Sequence, residues 1–543
     1  MPASSFYPAI DIPQVDLWGL MFESLFPFLK EAVIYRDAIT KRSHTYAAVR
    51  DAAISFGYGL VTSWSWKKGD TMTIVSSNNI DIPVIIYGTL FAGGVVSPAN
   101  PSYSVDELAF QLQDSRTNAI ATVKSCLPIV IAAAKKIGLH HDRIVLLGDE
   151  SDSDGQFKHF EQIKTQSVLP EMNRVSLDPS RDLAFLVYSS GTTGLPKGVM
   201  LSHSNIVANV LMVASSVGKS YSWKNDKLLG ILPFYHIYGL TCLVHQPLHR
   251  GIELVVIQRF ELELFLRTIQ EERITFVYLA PPVLVHLAAS PLANKYDLTS
   301  LRMATSGAAP LTRALVDAVH KRLGIKINQA YGLSETSPIT HTQPWNEWYE
   351  SVGSVGKMMP NLTAKYMSPE GEEVADGEPG ELYLKGPSIF KGYWNNQKAT
   401  EDSFTSDGYF KTGDVGFQDH NQNFYITDRV KELIKFNGYQ VAPAELEGLL
   451  LVHPSVVDVA VIGVDMGHTE VPKAFVVLAA GIQQTSEVAK EIIDWMDSKV
   501  AHYKKLRGGV HFLDHIPKSA AGKILRKALK DFVKQESTGK PKL

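Results

Sequence analysis

A chain of 543 residues exceeds what one hydrophobic core usually supports, so two or more domains are expected. Its 45% hydrophobic and 20% charged residues are ordinary for a globular protein, and a net charge of −3 gives no reason to expect nucleic acid or an anionic membrane as partner. Its 2 cysteines, Cys126 and Cys242, form no CxxC pair, which fits a reducing compartment and argues against disulfide stapling and a zinc site.

The segment from Met1 to Pro13 lacks a basic stretch followed by an apolar core, so no secretory signal is read. The longest apolar stretch, Ile82 to Ala99, is interrupted by Pro83, Gly88, Gly93, Gly94 and Pro98. It reads as a buried helix and strand, and no membrane span is expected. The run Leu183 to Val187 reads as another buried strand. It leads into Tyr188-Ser189-Ser190-Gly191-Thr192-Thr193-Gly194-Leu195-Pro196-Lys197-Gly198-Val199. Glycines let the backbone approach a ligand closely, and the hydroxyls and amides offer a dense set of donors, as the phosphates of a nucleotide require. This is not a Walker A loop, because Lys197 is followed by Gly198 rather than Ser or Thr.

Downstream, Ser204 is expected to cap a helix whose apolar stripe is Ile206, Val207, Val210, Leu211 and Ala214. Strands are expected over Leu228 to Leu232 and Thr275 to Leu279, and a helix from Thr312 to Leu323 stopped by Gly324. This alternation, continuing to about Glu350, predicts α/β layering with sites in the loops at strand ends. From about Ser351 to Asp428, Gly and Asp/Asn turns recur between short β-rich segments, as in a meander or small barrel. Beyond Lys431 an α+β texture returns. It comprises a helix over Pro443 to Leu451, strands over Val456 to Val464 and Ala474 to Leu478, and a helix from Ser486 to about Lys505.

The glycine- and hydroxyl-rich loop resembles the phosphate loop of the adenylate-forming enzymes: acyl-CoA synthetases, 4-coumarate–CoA ligases, beetle luciferases and peptide-synthetase adenylation domains. The likeness covers nearly the whole chain, with the later motifs in family order, and is closest to the 4-coumarate–CoA ligase-like acyl-CoA ligases. It implies an α/β fold. A large N-terminal domain of helix-wrapped sheets, residues 1–430, would include a small β-barrel-like subdomain at about 351–428. A small mobile α+β domain, residues 431–543, would follow, with Lys431 as the hinge.

The resemblance also implies roles. Ser189, Ser190, Gly191, Thr192, Thr193, Gly194 and Lys197 would hold the triphosphate. In Gln329-Ala330-Tyr331-Gly332-Leu333-Ser334-Glu335, Tyr331 would lie against adenine, Ser334 would bond a phosphate oxygen, and Glu335 would hold Mg²⁺. Gln329, Gly332 and Ala308 join the nucleotide side. Asp414 and Arg429 would contact ribose, a carboxylate being the usual acceptor for two hydroxyls. Lys523, in Gly522-Lys523-Ile524, would bridge the α-phosphate and the substrate carboxylate. His236, within Pro233-Phe234-Tyr235-His236-Ile237-Tyr238-Gly239, would touch the reacting carboxylate. The acyl pocket would comprise Ile237, Tyr238, Thr305, Ala308, Ala330, Pro338 and Ile339, a mostly apolar lining suited to a hydrophobic acid.

Lys435, Gly438 and Gln440 fall in the loop that lines the CoA tunnel in the family, although Asn437 replaces a lysine frequent there. The implied activity is ATP-dependent ligation of an aryl or medium-chain acid to CoA through an acyl-adenylate. A luciferase-like oxygenase, a ligase loading a carrier-protein thiol, and a nucleotide-binding scaffold without catalysis remain the alternatives. The ending Pro541-Lys542-Leu543 resembles a peroxisomal Ser-Lys-Leu tail and suggests an import receptor as partner, with a coincidental basic terminus as competitor.

Overall fold

The structure is a computed structural model that describes residues 2–165, 174–189, 196–217, 220–375, 377–437, 439–467, 469–519 and 522–537. Among these residues, one seven-stranded sheet runs in the spatial order Lys197–Ser202, Leu183–Ser189, Val95–Ala99, Thr71–Val75, Thr117–Thr122, Ile144–Leu146 and Lys158–His159. All neighbours are parallel except the first pair, an antiparallel hairpin. Runs such as Leu183 to Val187 satisfy a parallel sheet covered on both faces. The stretch 82–99 is a helix over Ile82–Phe91 and a strand over Val95–Ala99, with every residue of both elements buried.

A nine-stranded sheet lies beside it. Its parallel centre is Lys326–Gly332, Met303–Ser306, Phe276–Leu279, Lys227–Gly230, Glu253–Val256 and Val33–Asp37. The strand Ile339–Thr342 folds back antiparallel on Lys326–Gly332. Thr312 caps the helix Arg313–Leu323, and Gly324 ends it at φ +71°. The helix His203–Val217 starts one residue before the expected cap. Ser202, not Ser204, takes that role: its hydroxyl accepts from the Asn205 N–H at 3.2 Å.

The turn-rich segment forms an antiparallel meander of Thr363–Met367, Gly380–Lys385, Phe410–Gln418 and Phe424–Arg429, with Ala3–Ser4 at its edge. A hairpin, Ile434–Phe436 with Tyr439–Val441, then precedes a three-stranded sheet of Val456–Asp465, Glu470–Leu478 and Val510–Phe512. Helices Pro443–Leu450, Ser486–Asp497 and Arg526–Ser537 accompany these strands. The second of them stops at Asp497 instead of running to Lys505, and a short 3-10 turn at His502–Lys504 follows.

Buried apolar residues from Leu17 to Phe424 cluster separately from those between Ile434 and Leu529, giving a large N-terminal and a smaller C-terminal domain. The two meet where Gly522, at φ +83°, brings its α-carbon against Ala280 and Pro282. A Cβ on Gly522 would lie 3.3 Å from side-chain atoms of both.

Candidate active site

The hairpin of the seven-stranded sheet sets Lys197 opposite Ser189 and Gly198 opposite Tyr188. Ser189 and Lys197, the described residues on either side of the glycine-rich segment, are therefore neighbours across one strand pair. Ser190, Gly191, Thr192, Thr193 and Gly194 lie outside the described residues, as does Gly438. Gly198 must be small: a Cβ there would come within 3.2 Å of Trp394 Cβ and the Tyr188 ring. The Lys197 ammonium sits 4.7 Å from the centre of the Tyr393 ring.

Tyr331, Asp414 and Arg429 converge from three strands. Asp414 and Arg429 face each other across the Phe410–Gln418 and Phe424–Arg429 pair, with Arg429 Nε 2.9 Å from Asp414 Oδ1. Tyr331, ending the strand Lys326–Gly332, donates its hydroxyl to Asp414 Oδ2 at 2.6 Å. Asp414 is 2% exposed, so its charge is compensated by these two groups rather than by water. Burial and then the Asp414 charge push the Tyr331 phenol well above its ordinary range, which keeps it a donor. Gly332 admits no side chain, because a Cβ would fall 2.0 Å from the Pro338 carbonyl oxygen.

Glu335 follows in a one-turn 3-10 helix, Ser334–Thr336, and its Oε1 accepts from the Tyr393 hydroxyl at 2.8 Å. Ser334 is half-buried beside it. Gln329 is turned away into the corner between strands, where its side-chain amide donates to the Ser354 carbonyl.

Lys523 belongs to the small domain and is half-buried. Its N–H is held by Ser519 Oγ at 3.2 Å, and its carbonyl accepts from the Ser519 N–H at 2.7 Å. Burial lowers its ammonium below the usual lysine range; Arg429 adds to this, while Glu432 and Asp414 oppose it. His236 Nδ1 accepts from the Tyr238 N–H at 3.3 Å. Burial, helped by the Lys523 charge, pushes His236 down to about 4, leaving a neutral imidazole at neutral pH. The small-domain lysine, His236 and the Asp414–Arg429 pair thus share one electrostatic environment.

Most of the expected acyl-pocket residues are buried, and Tyr238 reaches Thr305. Ile237, Tyr238, Thr305, Ala330, Pro338 and Ile339 are buried. The Tyr238 hydroxyl donates to the Thr305 carbonyl at 3.2 Å, and its ring fills the space that a side chain at Gly307 would occupy. Ala308 is exposed at φ +75°, a left-handed conformation costly for a residue with a Cβ. Tyr278 escaped the sequence reading. Register places it beside Thr305, and its ring lies 5.8 Å from that of Tyr238 and 4.6 Å from that of Phe276. A tyrosine inside the apolar run 275–279 carries no local signal of a pocket.

Lys431 is exposed just after the strand ending at Arg429. Lys435 and Gln440, exposed on the small-domain hairpin, form no hydrogen bond or ion pair with Tyr331, Asp414 or Arg429. Asp428 precedes Arg429 at the end of the same strand. It is buried, and its carboxylate accepts from the N–H groups of Arg429 and of Ala444 in the small domain.

Among the described residues, no three His, Cys, Asp or Glu side chains are grouped so as to hold a metal ion. Glu335 therefore offers one carboxylate. That donor set fits Mg²⁺ arriving on a triphosphate, which keeps phosphate and water ligands and needs only one or two carboxylates. It does not fit a metal held by protein alone. Also among the described residues, no helix is long and apolar enough to cross a membrane.

A family model described as AMP-binding enzyme matches residues 26–394, and one described as AMP-binding enzyme C-terminal domain matches 445–523. A Dictyostelium discoideum protein named probable 4-coumarate–CoA ligase 1 is 38% identical over 97% of this chain and 97% of its own. The crystal structure of ATP-bound MatB from Rhodopseudomonas palustris superposes with a TM-score of 0.84 at 27% identity, covering 96% of this chain and 99% of the other. The anthranilate CoA ligase AuaEII, solved with anthranoyl-AMP, shares the fold at a TM-score of 0.86 and 23% identity, over 97% of this chain and 99% of its own.

Proposed function

The chain belongs to the AMP-binding, adenylate-forming enzymes, and on that premise we propose that it is an ATP-dependent acid–CoA ligase. What supports this is the Tyr331–Asp414–Arg429 cluster together with the small-domain Lys523, whose ammonium is shifted by burial, Arg429 and Asp414 and whose charge in turn helps burial lower His236. A nucleotide binder without chemistry has no use for a half-buried lysine delivered from a second domain.

In the first step a carboxylate oxygen attacks the α-phosphorus of ATP. The bond from that phosphorus to the bridging oxygen breaks, and pyrophosphate leaves. Tyr331 offers its ring to adenine, while Asp414 and Arg429 are placed for the ribose hydroxyls. Lys523 brings a compact positive charge to the α-phosphate and the incoming carboxylate, where charge builds. Its lowered ammonium pKa reflects the desolvation that strengthens such an interaction. Glu335 would hold Mg²⁺, which supplies charge neutralisation of the phosphates when bound. Ser189 and Lys197 flank the triphosphate.

In the second step the CoA sulfur attacks the acyl carbon, the carbon–oxygen bond to AMP breaks, and the thiol proton passes to solvent. Neutral His236 leaves that approach free of a competing cation. For this the small domain must swing about Lys431, withdrawing Lys523 and bringing the loop of Lys435, Gly438 and Gln440 forward.

The aromatic wall of Tyr238 and Tyr278 supports a planar aryl acid over a long flexible chain. The last three residues, outside the described region, are proposed as a peroxisomal import signal. Deleting them should leave a fluorescent fusion in the cytosol. Acyl-CoA formation, screened over cinnamic, benzoic, phenylacetic, medium-chain and long-chain acids with ATP and CoA, tests the ligase reading. Turnover should concentrate on the aryl acids, and AMP release that ignores CoA would sink the CoA assignment.

A further inference from the structure

Residues 388–394 lace together the two segments that flank the phosphates. On one side, Trp394 N–H donates to the Gly198 carbonyl at 2.8 Å, Lys391 N–H to Met200 at 2.9 Å, and Met200 N–H to Gly392 at 3.0 Å. On the other, Phe390 N–H donates to the Glu335 carbonyl at 2.9 Å, and Ser337 Oγ donates to Ser388 at 2.8 Å. The strand that starts at Lys197 and the turn that carries Glu335 are thereby held in fixed relation.

One side chain of this segment touches both functional groups. The Tyr393 hydroxyl donates to Glu335 Oε1 at 2.8 Å, and the face of its ring lies 4.7 Å from Lys197 Nζ. We propose that Tyr393 is a positioning residue that sets the Glu335 carboxylate and the Lys197 ammonium together for the metal-bound phosphates of ATP. The proposal rests on the reading of Glu335 and Lys197 as phosphate-side residues. With Oε1 engaged by the phenol, the carboxylate loses rotational freedom and presents Oε2, which accepts no hydrogen bond among the described residues. The ring face attracts the ammonium by cation–π interaction and restricts a long, rotamer-rich side chain to the same side. The arrangement is that of an outer partner orienting a metal-binding carboxylate.

Two substitutions separate the contacts. Tyr393→Phe removes the hydroxyl and keeps the ring; Tyr393→Leu removes both. ATP binding to the full-length protein is measured by titration calorimetry without acid, first in EDTA and then across a Mg²⁺ series. For Tyr393→Phe, affinity in EDTA should match the wild type, while the Mg²⁺ concentration giving half of the metal-dependent gain should rise about tenfold. For Tyr393→Leu, affinity in EDTA should also fall, by roughly two- to fivefold.

A merely structural tyrosine would lower both affinities together. A Tyr393→Phe protein with the wild-type Mg²⁺ dependence overturns the carboxylate contact, and a Tyr393→Leu protein that equals Tyr393→Phe in EDTA overturns the lysine contact. If the leucine variant does not fold, the phenylalanine variant decides alone. A wild-type protein that binds no ATP would overturn the nucleotide-site reading itself, a failure distinct from that of Tyr393.

Discussion

Gly522→Ala should separate the two half-reactions, because the proposed swing of the small domain would relieve the contact that the added methyl makes here. Gly522 adopts φ +83°, and a Cβ there would sit 3.3 Å from Ala280 Cβ and from Pro282. The left-handed backbone costs a residue with a Cβ about 1–2 kcal/mol, whatever the small domain's orientation. The close contact with Ala280 and Pro282 adds a penalty only while the small domain sits as observed. At 3.3 Å the neighbours must yield a few tenths of an ångström, which places that penalty near the low end of overpacking, about 1 kcal/mol. That difference corresponds to roughly a fivefold loss of adenylation relative to CoA attack. Adenylation is read by exchange of labelled pyrophosphate into ATP, and CoA attack by thioester formation from supplied acyl-adenylate. Equal slowing of both would refute the assignment of this pose to adenylation.

The same assays predict that Lys523→Ala nearly abolishes pyrophosphate exchange and leaves CoA attack on supplied acyl-adenylate largely intact; parallel losses would remove Lys523 from the first step alone. Tyr278→Leu should open the inner end of the acyl pocket. It should shift kcat/KM toward acids with a bulkier ring substituent by about 1–3 kcal/mol, and an unchanged ratio would place Tyr278 outside the pocket. Stability should fall with acid between about pH 6.5 and 4. Burial lowers His236 and His249 to about 4, and His245 and His341 to about 3, so the unfolded chain binds protons there that the native state does not. Asp428, raised by burial to about 6, and Glu447, raised to about 7, act in the opposite sense: their stabilisation is lost as pH rises. His203, also lowered to about 4 by burial, makes five histidines against three carboxylates raised by burial, Asp428, Glu447 and Glu381, and leaves the histidines dominant. A denaturation midpoint independent of pH across this window would contradict the balance.

The hairpin strand, the capped helix Arg313–Leu323 and the chain order of the motifs were legible because each rests on local pattern: an apolar run, a capping threonine, a glycine stop. The meeting of Tyr331 with Asp414 was legible only as a family expectation, since 83 residues separate them and their strands belong to different sheets, joined here by a side-chain hydrogen bond. Tyr393 was missed for a related reason. It stands in a turn-rich stretch, Lys391-Gly392-Tyr393-Trp394-Asn395, whose composition announces a loop and hides its lacing to two distant segments. The nearest signal was an aromatic pair inside a Gly/Asn turn. The burial of Asp428 carried no sequence signal, because a carboxylate beside Arg429 looks solvated, whereas here the Ala444 N–H of the small domain bonds it.

The central claim, ligation through an acyl-adenylate, is tested most directly by identifying the nucleotide product of a single incubation with ATP, CoA and an accepted acid. The predicted result is AMP in amounts equal to the acyl-CoA formed, with pyrophosphate and with neither product when the acid is omitted. ADP in place of AMP, or AMP formed without the acid, would contradict it.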